Sequence, residues 1–124
     1  MMSGPALFDT NILIDLFSGR QAAIAALEAY PSQRAISLIT WIEVMVGVPK
    51  YGDEARTKAV LELFEIIDIN RDIAAKSIEL RRAYGMRLPD ALILATAQVY
   101  KRSLVTRNTK DFAGIPGVVT PYLL

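Results

Sequence analysis

The sequence predicts an α/β protein built on a mostly parallel central sheet of five strands. Short apolar or β-branched runs alternate along the chain with longer stretches at helical spacing. Strands separated by helices favour a parallel sheet covered on both faces. The 124 residues are 52% apolar and 22% charged, which suits one folded domain, residues 1–124, with a proper core.

The elements follow in order. Ala6-Leu7-Phe8 is an apolar run ending at Asp9 and reads as a buried strand. Thr10 to Phe17 carries Ile12, Leu13, Ile14 and Leu16 near helical spacing, and Ser18-Gly19 ends it. Gln21 to Tyr30 is an Ala-rich helix that stops before Pro31. Ala35 to Ile39 is the second strand; Thr40 then opens a helix to about Val46, with Gly47 and Pro49 ending it. Asp53 to Phe64 is a further helix, apolar at Val60, Leu61 and Phe64. Glu65 to Ile69, with three isoleucines, suits a third strand. Arg71 to Tyr84 is helical, with Ile73, Ser77 and Leu80 on one face and Gly85 as the stop. Pro89 starts the next helix, where its missing N–H costs nothing; Ala91, Leu92, Ala95 and Val99 form the inner stripe. Ser103 to Thr106 is a fourth strand, Thr109 to Phe112 a single turn, Gly114 to Gly117 a loop, and Val118 to Thr120 a fifth strand.

Composition narrows the chemistry. With no cysteine there is no disulfide scaffold, thiolate zinc site or thiol nucleophile. With no histidine the usual general base and the commonest transition-metal ligand are missing too. Catalysis must rest on carboxylates, hydroxyls, amines or a bound hard cation. The net charge of +1 hides an asymmetry. Residues 1–70 carry 5 Lys/Arg against 9 Asp/Glu, whereas residues 71–124 carry 9 against 4. An acidic half beside a basic half can put a cation site next to a polyanion surface, although a solvated mix of charges is the plainer reading. No secretory signal pattern is visible, and no apolar run reaches the ~20 residues that span a bilayer. A cytoplasmic location, away from membranes, is expected.

In open α/β sheets the ligand site lies beyond the carboxyl ends of the strands, which turns attention to the residues after them. Asp9 ends the first strand, Glu43 lies one turn into the helix after the second, Asp90 begins the helix before the fourth, and Asp111 follows the fourth. Asp90 reaches the same edge only if its helix starts there, which depends on how the preceding loop crosses the sheet. Each acid also has a structural role open to it. Thr40-Trp41-Ile42-Glu43 matches a capping box, and Asp90 after Pro89 suits a helix dipole. Asp9 suits the N-cap of the helix from Thr10, and Asn108 with Asp111 suits a capped turn. As a group they suggest more. Two unit charges ~5 Å apart repel by roughly 3 kcal/mol at an effective dielectric of about 20. Four mutually close carboxylates make six such pairs, which calls for protonation or a bound cation. Oxygen donors alone select a hard ion, Mg²⁺ or Mn²⁺, which binds phosphate oxygens and activates water. The chemistry expected is metal-dependent phosphodiester hydrolysis.

Four segments then carry a family resemblance: Phe8-Asp9-Thr10-Asn11, Thr40-Trp41-Ile42-Glu43, Pro89-Asp90-Ala91 and Leu104-Val105-Thr106-Arg107-Asn108-Thr109-Lys110-Asp111-Phe112. In order and spacing the chain resembles a PIN-domain ribonuclease, specifically the VapC-type toxin of bacterial toxin–antitoxin pairs, from about Ala6 to Pro121. The resemblance implies an α/β/α sandwich whose acidic pocket holds Mg²⁺ or Mn²⁺ and cuts RNA. It implies Asp9 and Asp90 as principal metal ligands, Glu43 as a ligand or holder of metal-bound water, and Asp111 completing the far side. It implies that the hydroxyls of Thr10 and Thr106 orient the carboxylates. Some relatives place the last acid where this chain has Asn108. The family further implies a homodimer and a VapB-like antitoxin, with Trp41, Val44, Met45 and Val46 as candidate contact area. Arg81, Arg82, Arg87, Lys101, Arg102, Arg107 and Lys110 are candidates to steer RNA phosphates, each equally explicable as a solvated surface charge.

Two other readings compete. A receiver-like phospho-acceptor module needs paired acids after the first strand, an accepting Asp after the third and a Lys after the last. Here Asp9 stands alone, the third strand runs into Ile69-Asn70 with Asp68 inside it, and Val118 to Tyr122 has no Lys. An Asp-x-Asp phosphatase fails because position 11 is Asn. A catalytically silent PIN-like binding module is the remaining alternative, against which the intact acid set argues.

Overall fold

A computed structural model describes residues 4–123. In chain order the elements are β1 (Ala6–Phe8), α1 (Thr10–Phe17), α2 (Gln21–Glu28), β2 (Arg34–Ser37), α3 (Leu38–Tyr51), α4 (Glu54–Leu61), β3 (Glu65–Ile67), α5 (Arg71–Tyr84), α6 (Leu88–Val99), β4 (Ser103–Val105), α7 (Thr109–Phe112) and β5 (Val118–Val119). The strands form one sheet in the order β3-β2-β1-β4-β5, and every pairing is parallel. Leu7 pairs with Ala35 on one side and Leu104 on the other, which fixes the register of the three central strands.

The two-residue period of the strands divides the core in two. Leu7, Ala35, Ile67 and Leu104 face one way and pack with Ile73 and Leu80 of α5, Ile93 and Leu94 of α6, and Phe112. Ala6, Phe8, Ile36 and Val105 face the other way, against Ile12 and Leu13 of α1, Val44 of α3, Leu61 of α4 and Phe64. On that side the Phe8 ring meets Tyr30 and Phe64 edge-on, with centroids 5.9 Å apart in both pairs. The result is the expected α/β/α sandwich.

The chain reverses direction across the sheet at β1: β2 and β3 build outward on one side, β4 and β5 on the other. That switch point is where open α/β sheets form a crevice. Which helix starts open there depends on α5. The side-chain amide of Asn70, the N-cap of α5, donates to the Tyr100 hydroxyl at the end of α6 (3.1 Å). Just beyond α6, the Arg102 guanidinium donates to the carbonyls of Ala6 (3.3 Å) and Gln33 (2.7 Å), at the beginning of β1 and β2. The chain after β3 therefore crosses back to the amino edge. α5 climbs from there, turns at Gly85, and α6 descends from the carboxyl edge with Asp90 in its first turn.

Several boundaries differ from the sequence reading. α3 begins at Leu38 rather than Thr40, because the Ser37 hydroxyl caps it by accepting from the Ile39 N–H (3.0 Å). The capping box expected at Thr40 is consequently absent. α3 also runs through Gly47 and Pro49 to Tyr51. Pro49 lies in the last turn and is exposed, so one lost hydrogen bond costs little there, while buried Val44 and Val48 hold the helix on the core. α4 stops at Leu61 rather than Phe64, and β3 stops at Ile67, leaving Asp68 just outside the strand and exposed.

Candidate active site

Asp9 follows β1 directly and caps α1, its Oδ1 accepting from the Thr10 N–H at 2.8 Å. Its own N–H donates to the Val105 carbonyl (2.9 Å), locking the β1 exit to the β4 exit. Its Oδ2 accepts from the Thr106 hydroxyl (2.7 Å) and the Asn11 amide (3.3 Å). Thr106 is the hub beneath the site: besides donating to Asp9, its oxygen accepts from Asn11 Nδ2 (3.2 Å) and the Asn108 N–H (3.0 Å). Burial pushes the Asp9 carboxyl up to about 6. The bonds from Thr106 and Thr10 oppose that rise, whereas the charges of Asp90 and Glu43 add to it.

Asp90 is also held above the usual carboxylate range, first by burial and then by Asp111 and Glu43, with Arg87 pulling the other way. Its Oδ2 is buried and has no hydrogen-bond donor. The nearest cation, Arg87 Nη2, stands 3.5 Å away, an ionic contact longer than a good hydrogen bond.

Glu43 lies on α3 and is exposed. Its Oε1 accepts from the Thr10 hydroxyl at 2.6 Å, and the Thr10 and Thr40 hydroxyls lie 3.1 Å apart. The four residues that read as a local capping box instead join α3 to α1. Asp111 sits further out. The Asn108 side chain caps α7 by accepting from the Asp111 N–H (3.0 Å) and donating to its Oδ2 (2.9 Å), the capped turn anticipated from sequence. Arg87 Nη2 approaches Asp111 Oδ2 at 3.9 Å.

The four acids thus share one electrostatic neighbourhood, Asp90 and Glu43 acting on Asp9, and Asp111 and Glu43 acting on Asp90. Among the described residues no three carboxylates come close enough to form a complete metal cage. The donor set fits a looser arrangement. Mg²⁺ is commonly held by one or two carboxylates and otherwise by water and substrate phosphate. Asp9 and Asp90 supply two mutually repelling carboxylates, and Asp90 Oδ2 still lacks a donor.

Close to Asp9 along α1 stands a group that no sequence motif marks. Asp15, on the buried stripe of α1, accepts from Arg107 Nε (2.5 Å) and Nη2 (3.1 Å) and from the Tyr122 hydroxyl (2.7 Å). The Arg107 N–H in turn donates to Asn11 Oδ1 (3.3 Å). An acid placed three residues after Ile12, in an otherwise apolar helix, was the available signal. Other cations proposed for RNA also have structural partners: Arg102 binds two carbonyls and Glu65, and Arg81 Nε donates to the Met86 carbonyl (3.0 Å). Of the apolar candidates on α3, Val44 is core and Trp41 and Met45 pack against it, leaving Val46 exposed beside Ile42.

Topology rejects the receiver reading. Receiver-like sheets place the third strand next to the first, whereas β3 here is an edge strand separated from β1 by β2. A family model described as PIN domain matches residues 6–118. Ribonuclease VapC1 of Methanocaldococcus jannaschii is 34% identical over 111 residues, which cover 86% of this chain and 77% of that protein. Ribonuclease VapC19 of Mycobacterium tuberculosis is 31% identical over 124 residues, covering 94% of this chain and 98% of that one. A chain from a toxin–antitoxin complex of Klebsiella pneumoniae is 66% identical, with a TM-score of 0.93, covering 96% of this chain and 99% of that chain. With its acids at the β1/β4 crevice and this likeness over nearly its full length, the chain belongs to the PIN-domain family, in its VapC branch.

Proposed function

We propose that the protein is the toxin of a toxin–antitoxin pair: an endoribonuclease that hydrolyses RNA phosphodiesters with Mg²⁺ or Mn²⁺. The observation that carries this reading is the pair Asp9 and Asp90. Both are pushed toward protonation by burial and by neighbouring carboxylates, and one Asp90 oxygen is buried with no donor. Such a pair is poised for a cation.

Asp9 and Asp90 would hold the ion. When bound, it supplies charge neutralisation for the phosphate and a water of lowered pKa. Thr106 fixes one Asp9 oxygen and the Thr10 N–H fixes the other, so this carboxylate does not rotate when charge arrives. Thr10 holds Glu43 at the rim, where its carboxylate can take a proton from the attacking water. Asp111, steadied by Asn108, closes the far side. The partners of this reading are an antitoxin, which we take to be VapB-like because the relatives are VapC ribonucleases and the 66% identical chain comes from a toxin–antitoxin complex, and a second copy of the chain. Exposed Ile42 and Val46 on α3 offer apolar area for such contacts. No helix among the described residues is long and apolar enough to cross a membrane. We place the protein in the cytoplasm as one domain.

The test is cleavage of structured RNAs with Mg²⁺ or Mn²⁺, comparing wild type with Asp9→Asn and Asp90→Asn. Cleavage that stops in both variants and in EDTA supports the reading. Cleavage that survives all three refutes it.

A further inference from the structure

Beside the acids lies a cleft of about 520 Å³, within the size range of small-ligand sites, lined by Tyr84, Gly85, Met86, Arg87, Lys110 and Asp111. We propose that this cleft is a single-nucleotide subsite for the RNA strand, in which Tyr84 stacks on a base and Arg87 and Lys110 take the adjoining phosphate. The inference rests on the ribonuclease reading and deepens it.

Chemistry and rigidity both support this occupant. Tyr84 is the last residue of α5 and is half exposed, at 54%. An aromatic face open to solvent beside cations is the arrangement that binds single strands, because every base has a face to stack. The turn carrying it is fixed. Gly85 takes the left-handed conformation (φ 68°) that ends α5, and its N–H donates to the Arg81 carbonyl (2.9 Å). Arg81 Nε then holds the Met86 carbonyl, and the Met86 side chain is buried in the core. Tyr84 and Arg87 therefore flank an anchored turn, so the backbone that carries them needs little ordering on binding.

Arg87 is the connection to the chemistry. Its side chain is 80% exposed and lies 3.5 Å from Asp90 and 3.9 Å from Asp111, loose ionic contacts that link it to both acids. The carboxylate in the cleft wall, Asp111, is hydrogen-bonded by Asn108 and faces Arg87, which softens its repulsion of phosphate. Of the seven cations singled out in the sequence, Arg102 and Arg107 are engaged in the fold, and Lys101 lines a different cleft with Arg102 and Ser103. Arg87 and Lys110 are the pair that shares this cleft with Asp111.

The experiment uses the full chain and a labelled single-stranded RNA pentamer, with binding read by fluorescence anisotropy in EDTA so that no cleavage intervenes. Tyr84→Ala is expected to weaken binding roughly tenfold, the loss of one stacked base, and Tyr84→Trp to retain it. Arg87→Ala should lower the slope of log affinity against log salt by about 0.7, one phosphate contact on a single strand. An abasic residue at one of the five positions should cost wild type about as much as Tyr84→Ala does, and cost Tyr84→Ala nothing more. Unchanged affinity in Tyr84→Ala, additive losses at every abasic position, or no RNA binding by wild type each overturns the subsite. The two readings fail separately: cleavage that ignores Asp9→Asn sinks the nuclease assignment, whereas intact binding by Tyr84→Ala sinks only the cleft.

Discussion

Two aspartates on the first helical segment are equally hidden from solvent and behave in opposite ways. Asp9 and Asp15 are 4% and 3% exposed, six positions apart in sequence. Burial alone raises a carboxyl, and it does so at Asp9, which rises to about 6. At Asp15 burial also pushes upward, but hydrogen bonds from Arg107 and Tyr122 and the charges of Arg107 and Arg20 outweigh it and hold the carboxyl low. Solvent accessibility alone, then, does not decide what a buried acid does: Asp9 lies deeper among protein atoms, and Asp15 has the cationic partners. One is balanced inside the protein and serves the scaffold; the other has no cation among its hydrogen-bond partners.

The largest effect should separate these roles outright. Asp9→Asn removes a proposed ligand, and cleavage should fall by about 10³-fold or more, the several kcal/mol that a bound cation lends to phosphate chemistry. The same change should leave the melting temperature unchanged or higher, because it deletes a buried charge with no cationic partner. A variant that loses activity by unfolding would defeat the comparison, and calorimetry alongside the cleavage assay reads the difference.

Asp15→Asn should show the reverse. It leaves Arg107 without its anion, and breaking a buried pair from one side costs about 3 kcal/mol, or roughly 10 °C in a domain of this size. Residual folded protein should still cut RNA at 20 °C. A melting temperature within ~2 °C of wild type would show that the pair contributes nothing net, as surface pairs often do.

How stability changes with pH should carry opposite signs at the two sites. Asp9 holds its proton more tightly when folded, so its ionisation costs stability as pH rises from about 4 to about 6, and the whole penalty stands above that. Asp15 is depressed, so the stability it contributes is present in full above about 4 and is lost as pH falls through its folded value. The advantage of Asp9→Asn over wild type should therefore be about 2 kcal/mol larger at pH 7.5 than at pH 4.5. Denaturant titrations at the two pH values measure it; a gain that does not vary with pH would mean that Asp9 is not raised.

The same contrast marks what could be read from sequence. Asp9, Asp90 and the strand exits were legible because they follow from local punctuation: an apolar run that ends in an acid, a proline that opens a helix. The Asn108 turn was legible for the same reason, whereas the Thr106 hydroxyl was expected only from the family resemblance. Glu43 was legible as a residue but not in its contact. Its capping-box pattern is satisfied on paper by Thr40, yet the actual donor is Thr10, 33 positions away, because Ser37 had already capped the helix. The direction of α5 and the Asp15–Arg107 pair, 92 positions apart, depend on how the sheet is crossed. No local pattern encodes a crossing, so Arg107 read as a candidate for RNA when it is committed to the scaffold.

The smallest effect tests the scaffold most finely. Tyr122 reaches back from beyond β5 to donate its hydroxyl to Asp15 Oδ2 at 2.7 Å, while its ring packs against the core on the α1 side. Tyr122→Phe keeps the ring and deletes one donor, and Arg107 still serves the same oxygen. The loss should be about 1.5 kcal/mol at pH 7, the low end for a hydrogen bond to a charged group. With one of its hydrogen-bond donors gone, the Asp15 carboxyl should rise, so the acid limb of the stability curve should begin at higher pH than in wild type. Cleavage should be almost unchanged, since Asp9 keeps Thr106, Thr10 and Asn11. If Tyr122→Phe instead lowered kcat as much as it lowered stability, the two aspartates would belong to one coupled network, and the division between scaffold and site would have to be redrawn through Asn11, which touches both Asp9 and the Arg107 backbone.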